Sequence, residues 1–295
     1  MGIGKAIAKR AVAEGAKVVI HGLEQELAFE LQNKLGEKNS VIHIEDLSIK
    51  GCTDRLVSLA IKTWNKIDAI VNNAALVISS NIKNTNDKLL EDVFKVNTMA
   101  PFLLIKSALP YLTKSKGVVL NIGSVNAWSG EPNLLAYSIS KGALMTMTRN
   151  LGDSLHRDNG VRVNQINPGW VLTEKEIDRK KEHGLKDNWY EDLPDIFAPS
   201  GKIISPDAIA SSAIYWLSDE SGPVSGQVVD IEQYPVIGRN ISKDSSNKIC
   251  LTIFDKIQGG CFKYWFYKCL EWRTKFISIQ HFKRSTYDND KKFRR

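Results

Sequence analysis

At 295 residues with 43% hydrophobic side chains, the chain is long enough to bury one large α/β core, and no apolar run approaches the ~18 residues that a membrane-spanning helix needs. The net charge of +7 divides unevenly. Residues 1–242 carry 27 Lys+Arg against 28 Asp+Glu and residues 243–295 carry 13 against 5, so a nucleic-acid reading rests on the last 53 residues alone. The four cysteines, Cys52, Cys250, Cys261 and Cys269, form no Cys-x-x-Cys, no pair of histidines stands at metal-ligand spacing and no signal peptide is recognised; a reducing, cytoplasmic setting without a metal site is the expectation.

Gly2-Ile3-Gly4 leads directly into an amphipathic helix with Ile3, Ile7, Ala8, Ala11 and Val12 on one side. Glycines at a helix N-terminus let free backbone amides approach a phosphate, and the helix dipole attracts the anion, although two glycines alone are a weak pattern. Residues 17–20 (KVVI) read as a buried strand, followed by a helix over about 24–35. A further strand over 41–44 ends in Glu45-Asp46-Leu47, where Asp46 also suits a helix N-cap ahead of residues 48–64. The next strand, Ala69-Ile70-Val71, delivers Asn72-Asn73-Ala74-Ala75. Such small and amide side chains either let a ligand lie close over a strand end or form an ordinary Asx turn. A helix over about 89–112 contains Asn97, which is unfavourable there by propensity. It is either an exposed polar position or a buried side chain that bends the helix.

The stretch from Val118 to Lys141 organises the rest. A buried strand (VVLNI) ends in Gly123-Ser124, which places Ser124 at the carboxyl edge of the sheet where α/β proteins bind ligands. From Leu135, apolar residues recur every four positions through Ile139, Ala143, Met147, Leu151 and Leu155, so Tyr137 and Lys141 share one helix face. A cation beside a phenol favours the phenolate, and a shift of about 2 to 3 units from the usual ~10 would make Tyr137 a useful proton shuttle. Residues 162–167 form a strand ended by Pro168-Gly169. Residues 173–206 read as a charged lid with Trp189, Tyr190, Leu193, Ile196 and Phe197 as substrate-facing candidates. A helix over 209–217 and a last strand over 227–231 (QVVDI) follow. Residues 243–295 hold 11 of the 25 aromatics. Nucleic-acid stacking and an amphipathic membrane contact are the minority readings of this tail, and a poorly ordered extension is the expectation.

With Ser124, Tyr137-x-x-x-Lys141, the opening glycines, Asn72-Asn73-Ala74-Ala75 and Asn167-Pro168-Gly169 together, the chain resembles the short-chain dehydrogenase/reductase family. The resemblance implies a doubly wound, Rossmann-like parallel sheet flanked by helices over residues 1–242. It also implies a catalytic set of Asn97, Ser124, Tyr137 and Lys141, with Asn97 holding a relay water and Lys141 lowering the pKa of Tyr137. Cofactor contacts fall on Gly2, Ile3, Gly4, Asp46, Leu47, Asn73, Ala74, Tyr137, Lys141, Pro168, Gly169, Val171 and Thr173. Only the last two glycines of the family's Thr-Gly-x-x-x-Gly-x-Gly turn are present, and the strand before it is missing. The expectation is therefore an incomplete version of a longer chain, or a destabilised domain with a defective cradle. The implied reaction is hydride transfer between NAD or NADP and a carbonyl/alcohol pair. His21-Gly22-Leu23, which offers no acid, leans toward NADP. The four-residue Tyr-to-Lys spacing favours a keto reductase or alcohol dehydrogenase over the enoyl reductases, and a homodimer or homotetramer is implied. A non-catalytic binding protein of the same fold is the alternative.

Overall fold

The computed structural model describes residues 2–182, 184–191, 193 and 198–234, with the backbone of 273–274 and 277–281. The boundary placed at 242, most of the tail, and Ile196 and Phe197 of the lid lie outside the described residues. Among the described residues, strands β1 (Lys17–Gly22), β2 (Ser40–Ile44), β3 (Ala69–Asn72), β4 (Ala75–Leu76), β5 (Val118–Ile122), β6 (Arg162–Pro168) and β7 (Val228–Ile231) are interspersed with nine α-helices. These are α1 (Ile3–Ala13), α2 (Gln25–Leu35), α3 (Cys52–Trp64), α4 (Asp87–Phe94), α5 (Ala100–Ser115), α6 (Asn126–Ser129), α7 (Leu135–Asn159), α8 (Glu174–Glu182) and α9 (Pro206–Leu217). Near the C-terminus lie β8 (Arg273–Thr274) and β9 (Ile277–His281).

The helices cover both faces of the sheet because successive strand residues point to opposite sides. Val18 and Ile20 of β1 pack with α1 and α2, and Val71, Leu120 and Ile122 pack with α1 and α9. The alternate residues Val19, Ile70, Val119 and Val163 pack with Leu56 and Ala60 of α3 and with Leu104, Ala108 and Leu112 of α5. Asn97 sits in a π-helical turn, Lys95–Met99, which joins α4 to α5 where one continuous helix is expected. In α7 the four-residue apolar stripe is not the buried face: Ile139 is 44% exposed, while Ala136, Ser140, Lys141, Leu144, Thr148 and Gly152 are buried. Small residues win this face because the helix lies close to the sheet. A Cβ on Gly152 would come within 2.3 Å of the Gly226 Cα and 2.9 Å of the Val163 carbonyl oxygen.

The seven-stranded sheet runs β2-β1-β9-β3-β5-β6-β7. Its pairings are parallel except at β9, which lies antiparallel to both β1 and β3. The slot that the sequence leaves without a strand is thus filled from the C-terminal segment: Ile279 stands opposite Val19 on one side and Ile70 on the other. A central slot left open would strand the backbone donors and acceptors of both neighbours. Ile279→Pro removes a ladder donor from the sheet centre and is expected to lower unfolding stability by about 2 kcal/mol or more. An unchanged urea midpoint would contradict this pairing.

Candidate active site

Ser124, Tyr137 and Lys141 converge at the carboxyl end of β5. Lys141 is 2% exposed, and its Nζ donates a 2.7 Å hydrogen bond to the Ile122 carbonyl, the last residue of that strand. The same Nζ lies 5.6 Å from the centre of the Tyr137 ring. Burial pulls the Lys141 pKa down from 10.5 to about 7. Burial also pushes the Tyr137 phenol above its ordinary value, and a hydrogen bond with the Ser124 side chain acts in the opposite direction. The expectation that Lys141 lowers the Tyr137 pKa is therefore not met: desolvation is the larger influence on the phenol, and Lys141 is not among the causes of its shift. Desolvation outweighs attraction here, because an amine that is itself half neutral near pH 7 offers the phenolate little charge.

Ser124 is placed by a chain of buried amides crossing the sheet. Asn72 Nδ2 donates to Asn121 Oδ1 (2.8 Å), and Asn121 Nδ2 donates to Thr148 Oγ1 (2.8 Å). Thr148 Oγ1 reaches Gln165 Oε1 (2.9 Å), and Gln165 Nε2 donates to Asn167 Oδ1 (2.7 Å). Asn167 Oδ1 also accepts the Ser124 N–H at 3.1 Å, and Asn167 Nδ2 donates to Asp230 Oδ1 at 2.9 Å. Gly123 must be glycine here, since a Cβ would lie 2.0 Å from Asn167 Oδ1. Of these groups Gln165, Thr148 and Asp230 escape the sequence reading. The signal available for Gln165 is a run of polar residues, NQIN, inside a strand that reads as central.

Asn97 is fully buried, but its amide is committed: Oδ1 accepts the Leu76 N–H (2.7 Å), while Nδ2 donates to the Leu76 carbonyl (3.0 Å) and to Ser140 Oγ (2.9 Å). It clamps β4 to the turn of α7 that carries Lys141, and it does not touch the amine through its side chain.

The predicted cofactor residues gather along the same sheet edge. A Cβ on Gly2 would lie 2.7 Å from Thr173 Cγ2, so the N-terminal amides of α1 face Thr173 across a gap that only backbone fits. Helix α1 has no acidic residue in its first turn and no side-chain cap, which leaves those amides suited to a pyrophosphate. Thr173 Oγ1 accepts the Glu176 N–H, and Val171 bridges to Ile204. Gly169 packs against the Glu232 carboxylate, which accepts the Trp170 N–H at 3.1 Å, and Gly169 N–H donates to the Ile231 carbonyl. Glu232 thus clasps the turn after β6. Asp46 Oδ1 caps the Ser48 N–H, Leu47 and Ala74 are buried, and Asn73 and Ile3 are half-buried. In the stretch expected to be a lid, Trp189 is buried and stacked on Trp170 at 5.5 Å with Lys180 over both rings, so it packs against its own segment and does not present a free substrate face.

A family sequence model described as enoyl-(acyl carrier protein) reductase matches residues 1–233. The chain is a short-chain dehydrogenase/reductase. It is 32% identical to glucose 1-dehydrogenase 2 of Bacillus subtilis over 243 residues, covering 78% of this chain and 89% of that one. It is 28% identical to an NADP-dependent (R)-specific alcohol dehydrogenase of Lentilactobacillus kefiri over 231 residues, 77% and 89% of the two chains. In fold it is similar to a 3-ketoacyl-(acyl-carrier-protein) reductase of Brucella melitensis complexed with NADH, with a TM-score of 0.68, 24% identity, and coverage of 78% of this chain and 92% of that one. This short-chain dehydrogenase/reductase is an oxidoreductase of the NAD(P)-dependent type. No helix among its described residues is long and apolar enough to cross a membrane.

Because the folded pKa of Lys141 lies below 10.5, the unfolded chain binds the extra proton between about pH 7 and 10.5, and stability rises with pH through that window. Measured against Lys141→Met, the wild-type protein should gain unfolding stability from about pH 7 to about pH 10. A difference that is flat or falls would contradict the burial of the amine.

Proposed function

We propose that the protein reduces a ketone to a secondary alcohol, and runs the reverse oxidation, with NADP(H) as preferred cofactor. The observation that carries this reading is the Tyr137 phenol hydrogen-bonded beside Ser124 with a buried amine 5.6 Å from its ring. The nicotinamide, when bound, supplies or accepts the hydride. Tyr137 donates its proton to the carbonyl oxygen in reduction, while the Ser124 hydroxyl donates a hydrogen bond to the same oxygen and polarises the carbonyl. Lys141, with a pKa near 7, exchanges protons readily at neutral pH and restores the phenol. Asn97 acts as a positioning residue through Ser140. Gly2, Ile3, Gly4 and Thr173 hold the pyrophosphate, Asp46, Leu47, Asn73 and Ala74 border the adenosine half, and Pro168, Gly169 and Val171 back the nicotinamide.

The names of the alcohol and glucose dehydrogenase relatives support a carbonyl/alcohol pair over an enoyl substrate. Support for NADP comes from the end of β1, where His21, Gly22 and Leu23 present no carboxylate and the nearby Glu24 is paired with Lys175 at 3.0 Å. A homo-oligomer is supported by exposed apolar side chains at Met99, Phe102 and Leu103 and at Ile139 of α7.

Tyr137→Phe should cut turnover of a ketone by about 10² to 10⁴-fold while leaving cofactor affinity within a few-fold. Full turnover in this variant would overturn the assignment of the proton donor. Fluorescence titration should find NADPH bound more tightly than NADH. Tighter NADH binding would reverse the cofactor preference, and binding of neither would contradict the cradle.

A further inference from the structure

The chain order separates His43, Glu45 and Cys52, but the fold brings them together at the carboxyl ends of β1 and β2, away from Tyr137. The His43 Nε2, one Glu45 carboxylate oxygen and the Cys52 Sγ all lie within 4.8 Å of one another. Within that set His43 Nε2 and Glu45 Oε2 are 2.8 Å apart. A second imidazole stands behind them: His21 Nε2 is 3.9 Å from Cys52 Sγ and 2.7 Å from the Glu45 carbonyl oxygen, and the two histidine rings stack at 5.9 Å. We propose that His43, Glu45 and Cys52 form a binding site for one divalent, borderline-soft transition metal of the zinc class, with water as the fourth donor.

The donor chemistry fits that class. Sulfur, imidazole nitrogen and carboxylate oxygen bind zinc at about 2.3, 2.0 and 2.1 Å, which sets donor pairs roughly 3.5 Å apart, inside the span seen here. Magnesium and calcium, which require oxygen donors, are excluded by the thiol and imidazole. Cys52 is buried and is the first residue of α3, whose N-cap is Gly51 with no side chain to satisfy the helix amides. Both Glu45 oxygens accept from the Arg55 guanidinium, Oε2 from Nε at 2.9 Å and Oε1 from the terminal amine, so a metal must take the place of one of these bonds. His43 and Glu45 side chains are each 18% exposed and form the entrance. On binding, the Cys52 S–H bond breaks, its proton passes to solvent and the sulfur lone pair forms the metal bond, so one proton leaves per metal bound. The metal would tie the end of β2 to the start of α3, outside the hydride-transfer site.

Titration of the full chain with Co2+ reads the site directly. One equivalent should produce a thiolate-to-cobalt charge-transfer band and the visible bands of a tetrahedral ion, and stoichiometric Zn2+ should bleach both. Cys52→Ser should abolish the charge-transfer band, and Glu45→Gln should weaken affinity by about tenfold or more. Both variants should keep the wild-type circular dichroism spectrum, and Tyr137→Phe should bind Co2+ as the wild type does. Absence of the charge-transfer band in the wild-type chain, or an equal band in Cys52→Ser, would overturn the proposal. Neither result would bear on the role of Tyr137.

Discussion

The site depends on burying one amine. Lys141 lies inside α7 with its Nζ hydrogen-bonded to the last carbonyl of β5, and this bond fixes the rotation of the helix against the strand. Because Ser124 follows that strand by two residues and Tyr137 precedes Lys141 by one helical turn, the bond also sets how the hydroxyl and the phenol meet. The cost is desolvation: a charge withdrawn from water favours its neutral form, and the amine settles near neutrality. Under the proposed reaction that cost is also the use of the residue, since a group that gains and loses a proton near pH 7 can feed the phenol above it.

Around this bond the protein spends polar groups where a sheet normally places apolar ones. The amides from Asn72 to Asn167 cross β3, β5 and β6 beneath α7, and their donors and acceptors meet one another in sequence. Except for Asn72 Oδ1, which has no hydrogen-bond partner, they are paired and position without large penalty, whereas truncating one member leaves its neighbours unsatisfied in the interior. The chain ends at the Ser124 amide and the Asp230 carboxylate, so the placement of the serine is coupled to β7 on the sheet's far edge. On the other side of α7, Asn97 makes the equivalent connection to β4, and the π-helical turn that holds it is the local distortion this burial requires.

Much of this was legible in the sequence. Periodicity placed β1, β5, β6, α2 and the start of α7 to within a residue or two, and the spacing of Ser124, Tyr137 and Lys141 marked residues that meet at the end of β5, whereas α6 and α8, the latter inside the stretch read as a charged lid, were not anticipated. What was not legible depends on contacts distant in the chain. The choice of the small-residue face of α7 over its apolar stripe follows from the approach of Gly152 to Gly226. The sign of the Tyr137 shift follows from burial, which spacing does not reveal. The strand that fills the sheet centre comes from residues 277–281, whose pairing partners lie more than 200 residues away. The His43, Glu45 and Cys52 cluster draws on a strand, a loop and a helix, and no linear spacing signals it.

The most direct test is the titration of the Lys141 amine itself, followed by the NMR signal of its ε-carbon in protein with labelled lysines and assigned by its loss in Lys141→Arg. The account predicts a midpoint near 7. A midpoint near the ordinary 10.5 would mean an amine in open water, and would contradict the anchoring on which the arrangement of Ser124 and Tyr137 rests.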